Sequence, residues 1–226
     1  MSARERVGRA LAQGWYRGID YGWALREIGR GLARPRLPAR FARGSRQPVL
    51  LLPGVLENWT MMRTIAERIS DAGHPVHALP ELRRNTVGVA EASALGTAYL
   101  AARELREAIL VAHSKGGLIG KHMMLADDDA RIDRLICVAA PFGGSVLARL
   151  VPHPTVRSLA PDDATIVELA AHEAVNDRIT SIYPSFDPHI PSGSYLPGAT
   201  NVEVPASGHF RVLGDPRVID AVIGAL

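Results

Sequence analysis

The 226-residue chain is short of sulfur, with Cys137 as its one cysteine. A lone thiol closes no intramolecular disulfide. It sits in the apolar run Leu135-Ile136-Cys137-Val138, where the expected role is a small buried hydrophobe rather than a nucleophile. Long apolar runs are missing too: none approaches the roughly 18 residues that a membrane-crossing helix needs. The N-terminus has arginines with no apolar segment behind them, so no secretory leader is expected and a cytoplasmic protein is. No H-E-x-x-H or C-x-x-C spacing occurs, no P-loop, and no G-x-G-x-x-G after a strand-like run. No cofactor and no metal are therefore expected.

What is present is ordinary for a globular protein: 47% hydrophobic and 22% charged residues. The length suits one α/β unit with a sizeable core. The charge is uneven. Residues 1–46 hold eleven arginines against Glu5, Asp20 and Glu27, a net of +8; with +3 overall, the remainder carries −5. Within this arm Tyr21, Leu25, Ile28 and Leu32 recur at helical spacing, with Arg26, Arg30 and Arg34 on another face. Trp15, Tyr16 and Trp23 add amphipathic rings, and Pro35 and Pro38 end the pattern. Two readings of the arm stand: a helix packed on the body with its arginines solvated, or one lying on an anionic membrane surface. No motif points to nucleic acid, which is not expected as a partner.

From residue 47 onward the pattern alternates. Strand-like runs cover 48–52, 75–79, 108–112, 132–140, 179–183 and 201–204. Helical patterns cover 62–69, 87–106, 116–126 and a last helix that starts at Asp215-Pro216, an N-cap followed by proline. Buried strands alternating with amphipathic helices predict a mostly parallel central sheet of about six strands, flanked by helices. Residues 143–177 are irregular and predict a small lid-like insertion, with no large cap domain. The domain division is then 1–46 and 47–226.

The chemistry concentrates at Ile109-Leu110-Val111-Ala112-His113-Ser114-Lys115-Gly116-Gly117. A buried strand runs into a serine, and two glycines open a helix. This is the nucleophile-elbow pattern G-x-S-x-G, with Ala112 at the first glycine position. Serine needs a base to act at neutral pH. His122, His153, His172, His189 and His209 follow Ser114, and His209 lies in the loop after the last strand. Asp187, just beyond the fifth strand in a proline-rich loop, is the expected orienting acid; Asp215 and Asp177 are its rivals. Two backbone amides should receive the oxyanion: Lys115, after the nucleophile, and Val55, in the loop Pro53-Gly54-Val55 after the first body strand. Glu57 and the Lys115 side chain would stand near this site, paired, facing substrate, or solvated on its rim.

With these stretches, together with residues 79–86, Ala140-Pro141-Phe142-Gly143-Gly144-Ser145 and Gly208-His209-Phe210, the body resembles the esterase and lipase branch of the α/β-hydrolase superfamily, in its small actinobacterial type. The resemblance implies the α/β-hydrolase fold and cleavage of a small-molecule or lipid carboxylic ester through an acyl-serine, without cofactor. It leaves room for a thioesterase or amidase with the same three residues, and for a binding protein that kept the fold.

Overall fold

The computed structural model describes residues 3–33 and 36–226, with side chains omitted at 3–13, 16 and 33. Of the sequence expectations for the arm, Arg34, Pro35 and the Tyr16 ring lie outside what is described. Six strands form one open sheet: β1 Val49–Leu52, β2 Val76–Ala78, β3 Ala108–His113, β4 Ile132–Val138, β5 Ile179–Phe186 and β6 Thr200–Ser207. Their order is β2-β1-β3-β4-β5-β6, and every pairing is parallel. The helices are α1 Ala3–Ala33, α2 Arg63–Asp71, α3 Val89–Ala102, α4 Lys115–Leu125, α5 Pro154–Arg157, α6 Ala164–Ala171 and α7 Pro216–Gly224.

The central strands are apolar on both faces because both faces are covered. Leu50, Leu52, Leu110, Ala112, Leu135 and Cys137 pack toward α3, α4 and α6. Val49, Leu51, Ile109, Val111, Ile136 and Val138 pack toward α2 and α7. Successive strand residues thus serve opposite cores, as the pleat requires. Strand order reverses between β1 and β3, so the loops leaving those two strands flank the crevice where ligands settle in open sheets.

Most boundaries match the sequence pattern. Helix α3 is shorter than expected: Glu104 and Glu107 adopt φ of 52° and 50°, a left-handed turn that delivers the chain to β3. Strand β5 runs on past Tyr183 through Pro184. Pairing with β4 has ended at Ile182 by then, and the register with β6 shifts between Pro184 and Phe186, so the missing proline N–H breaks no regular ladder. Asp215 caps α7 by accepting from the Arg217 amide at 3.0 Å.

The N-terminal helix corrects a simple reading of its pattern. Its apolar stripe is real, but the buried row is another one, with Tyr21 and Ile28 of the stripe touching the body at its margin. Asp20, Ala24, Glu27 and Gly31 are the buried positions, while Leu25 is 68% and Leu32 79% exposed. The docking row is a quarter-turn round the helix from the apolar row. Close approach explains the choice: a Cβ on Gly31 would stand 2.1 Å from Thr60 Oγ1. Helix α1 therefore packs on the turn Trp59–Met62 and on the loop after β6.

Candidate active site

Strand β3 ends in a tight turn at Ser114 whose two following glycines are set by close contacts. Ser114 takes φ 51° and ψ −123°, a left-handed conformation that costs a non-glycine residue about 1–3 kcal/mol. Its amide donates to Val138 O at 2.9 Å, which anchors the turn to β4. The next two glycines are required by contact. A Cβ on Gly116 would lie 1.9 Å from Leu52 O, and one on Gly117 would lie 2.5 Å from the Ala140 methyl. The serine is thus lifted off the end of the sheet between β1 and β4.

The loops after β5 and β6 bring two further side chains to it. His209 Nε2 lies 2.9 Å from Ser114 Oγ, and His209 Nδ1 lies 2.8 Å from Asp187 Oδ2. A carboxylate only accepts, so Nδ1 carries the proton and Nε2 faces the hydroxyl as an acceptor. All three residues are buried. Asp187 Oδ1 accepts from the amides of His189 at 2.7 Å and Ile190 at 3.0 Å. Burial works against its charge, but His209 and these two amides hold its carboxyl below the usual carboxylate range. Burial likewise works to lower the His209 pKa; Asp187, helped by Glu57 and Asp20, more than offsets this and raises it above 6.5.

Of the remaining sequence candidates, Asp215 is occupied as a helix cap and Cys137 is fully buried, where loss of solvation pushes its thiol pKa up. Val55 lines the cavity above Ser114, while the neighbouring Gly54 amide is taken by Glu57 Oε2 at 2.9 Å. Lys115 is the first residue of α4, so its amide belongs to the helix end whose N–H groups lack intrahelical partners.

Of the three positions open to Glu57 and Lys115, neither the solvated rim nor a mutual pair is what the structure shows. Both side chains are buried, and they do not pair with each other. Lys115 Nζ turns away from the serine and donates to Asn85 O, Asn85 Oδ1 and Val87 O, while Asn85 Nδ2 donates to Pro53 O at 2.7 Å. Burial pushes the Lys115 pKa down to about 8. Glu57 Oε2 lies 2.8 Å from His113 Nδ1, and His113 Nε2 donates to His209 O at 2.9 Å. With its Nε2 donating to a carbonyl, the His113 ring turns Nδ1 to the Glu57 carboxyl. These residues therefore prop the loops, and Glu57 also lines a cavity whose wall is mostly apolar.

That cavity measures about 330 Å³ and opens over Ser114 and His209. Leu147, Ala148, Val151, Val156 and Leu159 of the 143–177 segment form one wall, and Tyr21, Leu25 and Ile28 of α1 form another. His189 stands between them, with Nε2 2.9 Å from Tyr21 Oη and its ring 5.1 Å from that of His209. Burial, joined by the charge on His209, pushes its pKa down to about 4, so it is neutral around pH 7. Asp187, His189 and His209 hold ligand-type atoms within 4.8 Å of one another. Both Asp187 oxygens and both His209 nitrogens already have hydrogen-bond partners, so the cluster is poorly suited to a metal ion.

Sequence reasoning missed Asp20, Tyr21 and His113. A trace of Asp20 was there: a poor helix former among arginines, on the row that also holds Ala24 and Gly31.

No protein-family model matches the chain, and no curated protein matches it in sequence. Solved structures do match. Lipase B of Aspergillus fumigatus aligns with a TM-score of 0.63 at 18% identity, covering 81% of this chain and 54% of its own. A mature lipase of Bacillus licheniformis gives 0.60 at 15%, covering 81% and 91%. A hydrolase of Oleispira antarctica gives 0.56 at 15%, covering 81% and 92%. The chain has the α/β-hydrolase fold. In that fold the elbow after β3 and the loops after β5 and β6 share one edge of the sheet, which is where Ser114, Asp187 and His209 lie.

Proposed function

We propose that the protein is a serine hydrolase that cleaves carboxylic esters with an apolar acyl group. The observation that carries this reading is the hydrogen-bonded row Asp187–His209–Ser114 at the floor of an apolar cavity. Ser114 Oγ attacks the ester carbonyl as His209 Nε2 takes its proton. The oxyanion rests on the amides of Lys115 and Val55. His209 then protonates the leaving alcohol, and water, deprotonated by the same imidazole, releases the acid from the acyl-serine. Asp187 holds the tautomer and stabilises the imidazolium. The matched lipases and hydrolase support the class of chemistry; the cavity wall supports the apolar acyl group. A thioester or amide could be cleaved by the same groups, and a matched substrate panel ranks them.

The test is labelling with a fluorophosphonate probe. Wild type should label, and Ser114→Ala and His209→Ala should not. An unlabelled wild type, with or without detergent, would leave a non-catalytic binding protein as the better account.

We also propose that the substrate is reached from an anionic lipid surface. Leu25 of α1 lines the cavity and is 68% exposed, and Leu32 and Leu150, 79% and 77% exposed, add further apolar surface. The surrounding residues 1–46 carry the +8 charge that would meet anionic headgroups. No helix among the described residues is long and apolar enough to cross a membrane, so contact would be peripheral. The full-length protein should co-sediment with phosphatidylglycerol vesicles, and Leu25→Glu with Leu32→Glu should release it; equal sedimentation of both would remove the idea.

A further inference from the structure

Helix α1 holds the loops that carry His209 and Asp187, the first of them with one buried carboxylate. Asp20 is fully buried in the middle of the helix. Its Oδ2 accepts from the His209 amide at 3.0 Å, and its Oδ1 accepts from the amides of Phe210 at 3.0 Å and Arg211 at 2.9 Å. These amides open the short helical turn Arg211–Gly214, which has no capping side chain of its own. Asp20 therefore supplies from another element the acceptors that a local N-cap would provide. The approach is close enough to dictate the partner: Gly208 has φ 111°, and a Cβ on it would stand 2.6 Å from Asp20 Oδ1. The same stretch of α1 holds the acid loop, through Arg17 Nη2 to Pro188 O at 3.2 Å and Tyr21 Oη to His189 Nε2 at 2.9 Å.

We infer that Asp20 is the positioning residue for His209, and that α1 is an integral part of the active site rather than an appendage. The inference rests on the serine-hydrolase reading. Three charge-assisted bonds fix the backbone of residues 209–211, so the imidazole meets Ser114 and Asp187 in one geometry. The carboxylate acts at a distance as well. The ionisable groups facing His209 are Asp187 at Nδ1, His189 and His113 beside its ring, Glu57 behind His113, and Asp20 beneath its backbone. Of the three acids, Asp20 alone comes from the N-terminal segment. Its charge helps to hold the proton on His209.

The experiment follows the rate of fluorophosphonate labelling against pH for full-length wild type and Asp20→Asn. The substitution keeps the size of the side chain, removes its charge and replaces one acceptor by a donor. Labelling should slow about 10–100-fold, and the acid limb of the pH profile should move to lower pH. A merely structural role would lower the melting temperature and leave the limb in place. Equal rates with an unmoved limb would overturn the inference while leaving the hydrolase reading intact. A wild type that never labels would instead remove the hydrolase reading. If Asp20→Asn is unfolded at the assay temperature, Tyr21→Phe decides. It breaks one tie of α1 to the acid loop without burying an unpaired charge; slower labelling supports the inference, and an unchanged rate overturns it.

Discussion

His113, the residue before the elbow serine, donates from Nε2 to the backbone carbonyl of His209 at 2.9 Å. The strand that presents Ser114 thus also grips the loop that presents His209. Through Glu57 the same imidazole is tied to Gly54, in the loop after β1. Three loops that converge on the cavity are braced by one buried pair.

Removing that imidazole should be severe for stability. His113→Ala strands the Glu57 carboxylate in the interior, a change that costs about 3–5 kcal/mol when one partner of a buried pair is lost. Urea denaturation of His113→Ala against His113→Ala/Glu57→Leu checks it. The double variant should recover part of the loss, because no unpaired charge then remains; a single variant as stable as wild type would refute the bracing role.

The pH dependence follows from the raised His209 pKa. On the proposed reading the neutral imidazole is the base, and its protonated fraction grows as pH falls through that raised value. Ester hydrolysis should therefore decline on the acid side beginning above pH 6.5, by about tenfold per unit at the limit. Asp187→Asn removes the largest contribution that raises the pKa. Its acid limb should move down, and its maximal rate should drop by about 10⁴, as expected when the wrong tautomer is presented. A limb unmoved in Asp187→Asn would assign the titration to another group.

Gly116→Ala should not be tolerated. The added methyl would meet the Leu52 carbonyl, which is backbone and cannot step aside. The loss should fall at or beyond the upper end of the about 1–3 kcal/mol typical of overpacking, read as a lowered melting temperature. A variant that melts with wild type would mean that the elbow and β1 are further apart than described.

The acyl preference should respond to the irregular segment. Leu159, near its middle, lines the cavity. Leu159→Trp should shorten the preferred acyl chain, seen as a fall in kcat/KM for long-chain nitrophenyl esters with short-chain values retained. A uniform fall across all chain lengths would place Leu159 outside the acyl path.

Much of this arrangement was legible in the sequence. The parallel α/β order followed from strand-like runs alternating with helical stripes. The elbow announced itself because its glycines are forced by close contacts, and His209 and Asp187 because each sits in the loop after a strand. What stayed hidden has a common physical cause. Asp20 acts on backbone amides 189 residues away, and an amide leaves no mark in a sequence. Periodicity revealed that Tyr21, Leu25, Ile28 and Leu32 share a face, but close packing against Thr60 decided which face docks. Glu57 and Lys115 look like surface charges until the folded chain shows carbonyls, amides and an imidazole arranged around them.

The tie between Asp20 and the His209 loop also has a consequence for biosynthesis. The ribosome delivers Asp20 189 residues ahead of His209, so a nascent chain holds the carboxylate long before it holds anything for that carboxylate to grip. A polypeptide interrupted before residue 209 lacks both the base and the anchor of its own first helix. On the proposed reading, hydrolytic competence is therefore gained only after residues 209–211 have emerged and met Asp20.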